Sequence, residues 1–245
     1  MITITNVTKS FNKMRVVNNI SFDVKSGQIT GLIGSNGSGK STTMRMIATL
    51  LKQDSGQIII NDIDTIKHPH EARKQIGILL GGDISLYERL TARENIIYFS
   101  ALQGIEANVA EKRLNDLSEL LDMHEYLDRK TIGFSRGMRQ KVAFARSIIH
   151  SPDIILLDEP STGLDINSIR DVQNFILYCK SQRKTILIST HNSHEIDKLC
   201  DNLVFIENGK IQAQGNKCEL LKNAGLTNSS DLFFYFKERS KNEKI

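Results

Sequence analysis

The chain has 245 residues, with 32 Lys plus Arg against 28 Asp plus Glu, a formal charge of +4, and 40% hydrophobic residues. A chain of this size buries a substantial core without disulfide staples, so disorder is excluded as an account of the whole. The cations are scattered and form no one-sided basic stripe, so no nucleic-acid partner is expected.

Residues 1–27 alternate at period two, through Ile2 and Ile4 and then Ile20, Phe22 and Val24, and close on Lys25-Ser26-Gly27. An antiparallel β layer is expected there. Residues 29–33 read as a strand, and a glycine-rich loop follows. Met44, Ile47, Ala48 and Leu51 then fall at i, i+3, i+4 and i+7, one face of a helix. A further strand is expected at 76–80. From about residue 83 to about 150 helical patterns dominate, opened by the capping box Thr91-Ala92-Arg93-Glu94. Strands at 154–157, 185–189 and 203–206 alternate with helical spacing such as Ile169, Val172 and Ile176. That alternation predicts a mostly parallel sheet with crossover helices. Asn208-Gly209 marks a hairpin. Beyond Gly215 a helical tail carries Phe233-Phe234-Tyr235-Phe236, readable as a packed cap or as a partner site.

Gly34-Ser35-Asn36-Gly37-Ser38-Gly39-Lys40-Ser41 satisfies GxxxxGK[ST] and lies between a predicted strand and a predicted helix. In that context the glycines let backbone N–H groups turn toward phosphate oxygens, and the helix N-terminus faces the same anion. Lys40 is expected to reach the β- and γ-phosphates of ATP, Ser41 to offer a hydroxyl to Mg²⁺, and Thr42 to contact the α-phosphate side. Residues 154–157 deliver Asp158 and Glu159 at a strand's C-terminal end, where open α/β sheets bind ligands. An acidic pair after a strand can also be a solvated end or a helix cap. Beside the phosphate loop, Asp158 is expected to hold Mg²⁺ through water and Glu159 to polarise the attacking water. His191 closes the strand at 185–190 and is expected to contact the γ-phosphate.

Cys179, Cys200 and Cys218 are isolated and odd in number. They fit neither a CxxC metal site nor a disulfide framework, and reduced cytosolic thiols are expected. The amino terminus lacks the regions of an export signal, and apolar runs are far shorter than the roughly 20 residues of a membrane span. Service to a membrane would go through a partner.

Phe134-Ser135-Arg136-Gly137-Met138-Arg139-Gln140-Lys141 precedes a helix upstream of the acidic strand. Together with Leu156-Leu157-Asp158-Glu159-Pro160, Ser161-Thr162-Gly163-Leu164-Asp165 and Ser189-Thr190-His191, it resembles the ABC transporter ATP-binding subunits across nearly the whole chain. The resemblance implies an α/β P-loop NTPase with a RecA-like core, an antiparallel β subdomain and an inserted helical lobe. It implies one domain over 1–245, with the core and β lobe at about 1–82 and 151–214, the helical lobe at about 83–150 and a tail at about 215–245. It further implies a homodimer that sandwiches two ATP molecules head to tail, with Ser135, Arg136, Gly137 and Met138 completing the opposite site. Asp165 would lie at the dimer interface near the other subunit's Ser41. Phe11 would stack on adenine, although it could equally be a core aromatic. The partners implied are a second copy and an integral-membrane permease, at the cytoplasmic face, with residues of about 83–100 forming the permease groove.

Two departures stand out. The usual Leu-Ser-Gly-Gly-Gln signature has Phe134, Arg136 and Met138 substituted, while Ser135 and Gly137 survive. The glutamine usual after the strand at 76–80 is replaced by Gly81, followed by Gly82 and Asp83. Water or a backbone carbonyl near Gly81 is expected to take its place on Mg²⁺. The run Leu79-Leu80-Gly81-Gly82-Asp83, with residues 86–91 and 137–142, resembles the NatA-type sodium-efflux ATPases; sodium export is implied by that resemblance alone. The alternatives are a drug or peptide exporter ATPase, a soluble non-transport ABC ATPase, or an ATP-sensing module.

Overall fold

The computed structural model describes residues 1–81 and 85–242, with side chains described as far as Arg239. The chain opens with β1 (Ile2–Phe11) and β2 (Met14–Val24), antiparallel, with Ile2 opposite Val24 and Ile4 opposite Phe22. The alternating apolar side chains are buried, as their period requires. β3 (Ile29–Ile33) leads through the glycine-rich loop into α1 (Lys40–Ile47).

α1 is shorter than the apolar spacing predicts. Thr49 takes a φ of 59°, and the amides of Leu50 and Leu51 turn back onto Arg45 O. Met44, Ile47 and Ala48 are buried as expected, whereas Leu51 packs half-buried beyond the helix end.

β4 (Ser55–Ile60) and β5 (Ile63–Asp64) come next, and the sequence reading did not assign them. Ile58 and Ile60 of β4 pair with Ile4 and Ile2, giving an antiparallel sheet ordered β2-β1-β4-β5. α2 (Pro69–Lys74) leads into β6 (Ile76–Leu79).

Among the described residues between β6 and β7 lie α3 (Ala92–Leu102), α4 (Ala107–Leu120), a 3-10 turn at His124–Tyr126, and α5 (Arg136–Ile148). The capping box forms, with Glu94 N–H donating to Thr91 Oγ1 at 3.0 Å and Thr91 N–H donating to Glu94 Oε2 at 2.8 Å. Caps of this kind contribute about 1 kcal/mol. Helix begins only at Ala92, however. Residues 85–91 are loop and turn, which corrects the helix-rich reading of 83–100, and Gly82 and Asp83 lie outside the described residues. Asn95 Oδ1 accepts from Tyr87 N–H and Asn95 Nδ2 donates to Tyr87 O, so the loop's polar backbone is held without helix.

β7 (Ile154–Asp158), α6 (Ile166–Ser181), β8 (Thr185–Ser189), α7 (Ser193–Leu199), β9 (Asn202–Glu207), β10 (Lys210–Asn216), α8 (Lys217–Ala224) and α9 (Ser229–Asn242) follow among the described residues. The second sheet runs β10-β9-β3-β8-β7-β6, parallel except for the terminal β9–β10 hairpin. Every residue of β3, β7 and β8 is buried, as expected for parallel strands covered on both faces. Ile155 and Leu157 of β7 face a core shared with Phe144 and Phe175, while Ile154 and Leu156 face one shared with the antiparallel sheet and α1. In the tail, Phe233 and Phe236 pack on Phe205, whereas Phe234 is exposed. Among the described residues no helix is long and apolar enough to cross a membrane.

Candidate functional site

The glycine-rich loop leaves the C-terminal end of β3, which lies between β8 and β9 at the point where the strand order reverses. That is the crevice where open α/β sheets hold ligands. Gly39 takes a φ of 108°, which glycine tolerates, and no side chain caps α1. The first amides of the helix are thereby left open to an anion.

Lys40 is buried beneath this loop, its Nζ donating to Gly34 O at 2.8 Å and Ser35 O at 2.9 Å. Burial pushes its ammonium below the usual lysine range, while the carboxylates of Glu159, Asp158 and Glu207 act the other way. A cavity of about 440 Å³ opens over the loop, and its walls include Asn36, Gly37, Gly39, Lys40, Ser41 and Thr42. From β7 come Asp158 and Glu159, so both motifs meet at one cavity.

Ser189 of β8 organises the two acids. Its hydroxyl donates to Asp158 Oδ1, and its carbonyl accepts from Glu159 N–H at 3.0 Å. Glu159 then turns through a φ of 48°, off the line of the strand. Its Oε2 accepts from Thr162 Oγ1 at 3.2 Å, and its Oε1 lies 3.4 Å from His191 Nδ1. His191 itself lines an adjoining hollow with Gly34, Ser35, Asn36, Phe233 and Phe234. Ser41 and Asp158 are oxygen donors on one cavity, the donor type that a hard cation takes. Among the described residues no three or more His, Cys, Asp or Glu gather as a metal cage. A cation here would therefore draw further ligands from phosphate oxygens and water.

Ser135 N-caps α5, its Oγ accepting from Met138 N–H at 3.2 Å. Gly137 packs so closely on α6 that a Cβ there would stand 2.2 Å from Ser168 Oγ. Asp165 caps α6 through Ser168 N–H and Ser168 Oγ, at 3.0 and 2.7 Å, bonds that hold its carboxyl below the usual carboxylate range. Arg136 lies against Gly163 and lines the same cavity as Lys40. Phe11 ends β1 with its ring 45% exposed and Lys9 Nζ 5.7 Å from its centroid; it is not a buried core aromatic, and it does not line the cavity.

Residues 17–162 match the family model described as ABC transporter. The chain belongs to the ABC transporter family. The ABC transporter ATP-binding protein NatA of Bacillus subtilis (strain 168) is 43% identical over 88% of this chain and 89% of its own length. The linearmycin resistance ATP-binding protein LnrL of the same organism is 32% identical over 92% of this chain and 72% of its own length. A solved structure described as the ATP binding subunit of an ABC transporter superposes with a TM-score of 0.89 at 28% identity, covering 97% of this chain and 99% of that one. This ABC protein is thus an ATP-binding subunit and an ATPase with the P-loop NTPase fold.

Its departures from the family pattern have structural correlates. Gly81 sits directly on β7, and a Cβ there would meet Asp158 O at 2.9 Å and Asp158 Oδ2 at 3.7 Å. Gly81 itself lines the cavity over the glycine-rich loop. Ser189 and Thr162, quoted above only as members of motifs, and Glu207, outside any motif, take part in the site as well. Ser189 was legible as the polar end of an otherwise apolar strand; Thr162 and Glu207 required the fold.

Proposed function

We propose that ATP binds with its phosphates over residues 34–42 and its adenine stacked on Phe11, and that hydrolysis there drives a separate membrane subunit. The convergence of Lys40, Asp158 and Glu159 on one cavity at the ends of β3 and β7 carries this reading. Ser41 and Asp158 would hold Mg²⁺, which when bound neutralises developing charge on the phosphate oxygens. Glu159 orients and polarises the attacking water, and His191, 3.4 Å from Glu159, reaches the γ-phosphate.

Ser135 caps α5, whose first turn carries the other signature residues Arg136, Gly137 and Met138. We assign them to the γ-phosphate of a second copy, in a head-to-tail homodimer with two competent sites. Ile166 supports an interface there: it is 86% exposed beside Asp165. The division into a core and β lobe, a helical lobe and a tail, at the boundaries given above, belongs to the same proposal.

Tyr87, Tyr98 and Leu102 form an exposed apolar face beside residue 85, backed by Arg146 over the Phe99 ring at 4.5 Å. We assign this face to the permease, which would hold the chain at the cytoplasmic side of the membrane. The cargo is read as sodium ion on the subgroup resemblance; the similarity to the linearmycin resistance ATP-binding protein makes a drug the second reading.

Purification from native cells in mild detergent, with mass spectrometry of the bound proteins, tests the assignment. A stoichiometric multi-span protein is expected, and sodium flux through that complex then tests the cargo. Recovery only with soluble machinery would overturn the transport reading.

A further inference from the structure

We infer that Glu207 is a positioning residue for the phosphate loop, clamping Ser35 so that Ser35 in turn fixes Lys40. Glu207 is the last residue of β9 and only 8% exposed. Ser35 Oγ lies 2.8 Å from each of its carboxylate oxygens, donating its one proton between them, and Ser35 N–H donates to Oε2 at 3.3 Å. The carbonyl of the same serine accepts from Lys40 Nζ at 2.9 Å and from Ser38 N–H at 3.2 Å. All the hydrogen-bonding groups of Ser35 are therefore engaged, the donors toward Glu207 and the acceptor toward the lysine.

The surrounding hairpin fixes the same loop. Gly209 N–H donates to Ser38 O at 3.0 Å, and Asn18 N–H donates to Gly209 O at 2.8 Å. A Cβ on Gly34 would stand 2.0 Å from Ile206 O, so loop and strand end lie in direct contact.

A buried carboxylate beneath a polyanion site works against binding by charge alone. Its contribution is geometric: it draws the Ser35 amide away from the cradle and, through Ser35, holds the lysine beneath it. Charge-assisted hydrogen bonds of this kind are about twice as strong as neutral ones.

This inference rests on ATP binding at residues 34–42, and the test keeps the two apart. ATP affinity by calorimetry, KM, kcat and melting temperature are measured on the full chain for Glu207→Ala, Glu207→Gln, Ser35→Ala, the double variant and Lys40→Ala. Glu207→Ala is expected to weaken ATP binding and raise KM about tenfold, with a smaller fall in kcat. Glu207→Gln, which keeps one acceptor oxygen, is expected to recover part of the loss. Ser35→Ala is expected to match Glu207→Ala, and the double variant to lose no more than either, because the two side chains act as one unit.

ATP affinity unchanged or improved in Glu207→Ala, with Lys40→Ala losing binding, overturns the role of Glu207 alone. A melting temperature that falls with KM unmoved overturns it equally, as a purely structural contact. Binding that survives Lys40→Ala overturns the underlying site. If Glu207→Ala does not fold, the comparison of Glu207→Gln with Ser35→Ala decides: KM unmoved in both overturns the proposal.

Discussion

His191 Nδ1 stands 3.4 Å from Glu159 Oε1, joining residues that leave two adjacent parallel strands, β8 and β7. Thr162 Oγ1 holds the other oxygen of the same carboxylate at 3.2 Å. Thr162 thus orients the acid through one oxygen while His191 stands close to the other, and such preorganisation lowers the reorganisation required during reaction.

Removing one side of that arrangement should impair chemistry more than binding. His191→Ala is expected to lower kcat on the order of 100-fold while ATP affinity changes little. Phosphate release and calorimetric ATP binding check this. A near-normal kcat would remove His191 from the site's chemistry.

Gly81 gives a prediction of opposite sense to simple restoration of the family residue. A Cβ there would stand 2.9 Å from Asp158 O, so Gly81→Gln must push β7 or the loop aside. We expect lower ATPase activity and no gain in Mg²⁺ affinity, read from Mg²⁺ titrations of phosphate release. A many-fold increase in both would show that the chain lacks an equivalent ligand.

Gly137 is the surviving signature glycine, and its role here is spatial. A Cβ would meet Ser168 Oγ at 2.2 Å, disturbing the Asp165–Ser168 cap of α6. Loss of such a cap costs about 1 kcal/mol. Gly137→Ala is therefore expected to lower the melting temperature by a few degrees and to abolish ATP-dependent association, measured by light scattering. Intact association would show that the γ-phosphate contact does not need this backbone approach.

His150 supplies a pH dependence of stability. It is hydrogen-bonded from Nε2 to Ile76 O at 3.1 Å, and burial holds its imidazole below the usual histidine range, with Arg113 and Lys184 adding to the effect. Above about pH 6.5 the ring is neutral in both folded and unfolded chains and contributes no slope. As pH falls below that value the unfolded chain takes up a proton that the folded chain resists, so stability drops toward the folded pKa. Urea unfolding between pH 7.5 and 5.5 should show this decline, and His150→Gln should flatten it. An unchanged slope would place the acid sensitivity elsewhere.

The parts of this architecture that were legible in the sequence are those written in short-range patterns. The run at 154–157, the strand–glycine loop–helix at 29–47 and the Thr91–Glu94 capping box each encode their structure locally, and each forms as expected. β4 escaped because its apolar part, Ile58-Ile59-Ile60, is only three residues long, and it becomes a strand by pairing with β1 far away in sequence. The end of α1 escaped because the apolar spacing continues to Leu51 while Thr49 turns the backbone out of the helix. Motifs named Lys40, Asp158, Glu159 and His191, but the Ser189 bridge between the acids and the Glu207 contact to Ser35 are relations between strands, which no spacing records.

In the proposed mechanism Glu159 drives hydrolysis inside an ATP-held dimer. Light scattering of Glu159→Gln with and without ATP, alongside phosphate release, tests it most directly. ATP should bind, hydrolysis should fall on the order of 100-fold or more, and the mass should double when ATP is added. Normal turnover, or a monomer saturated with ATP, would contradict it.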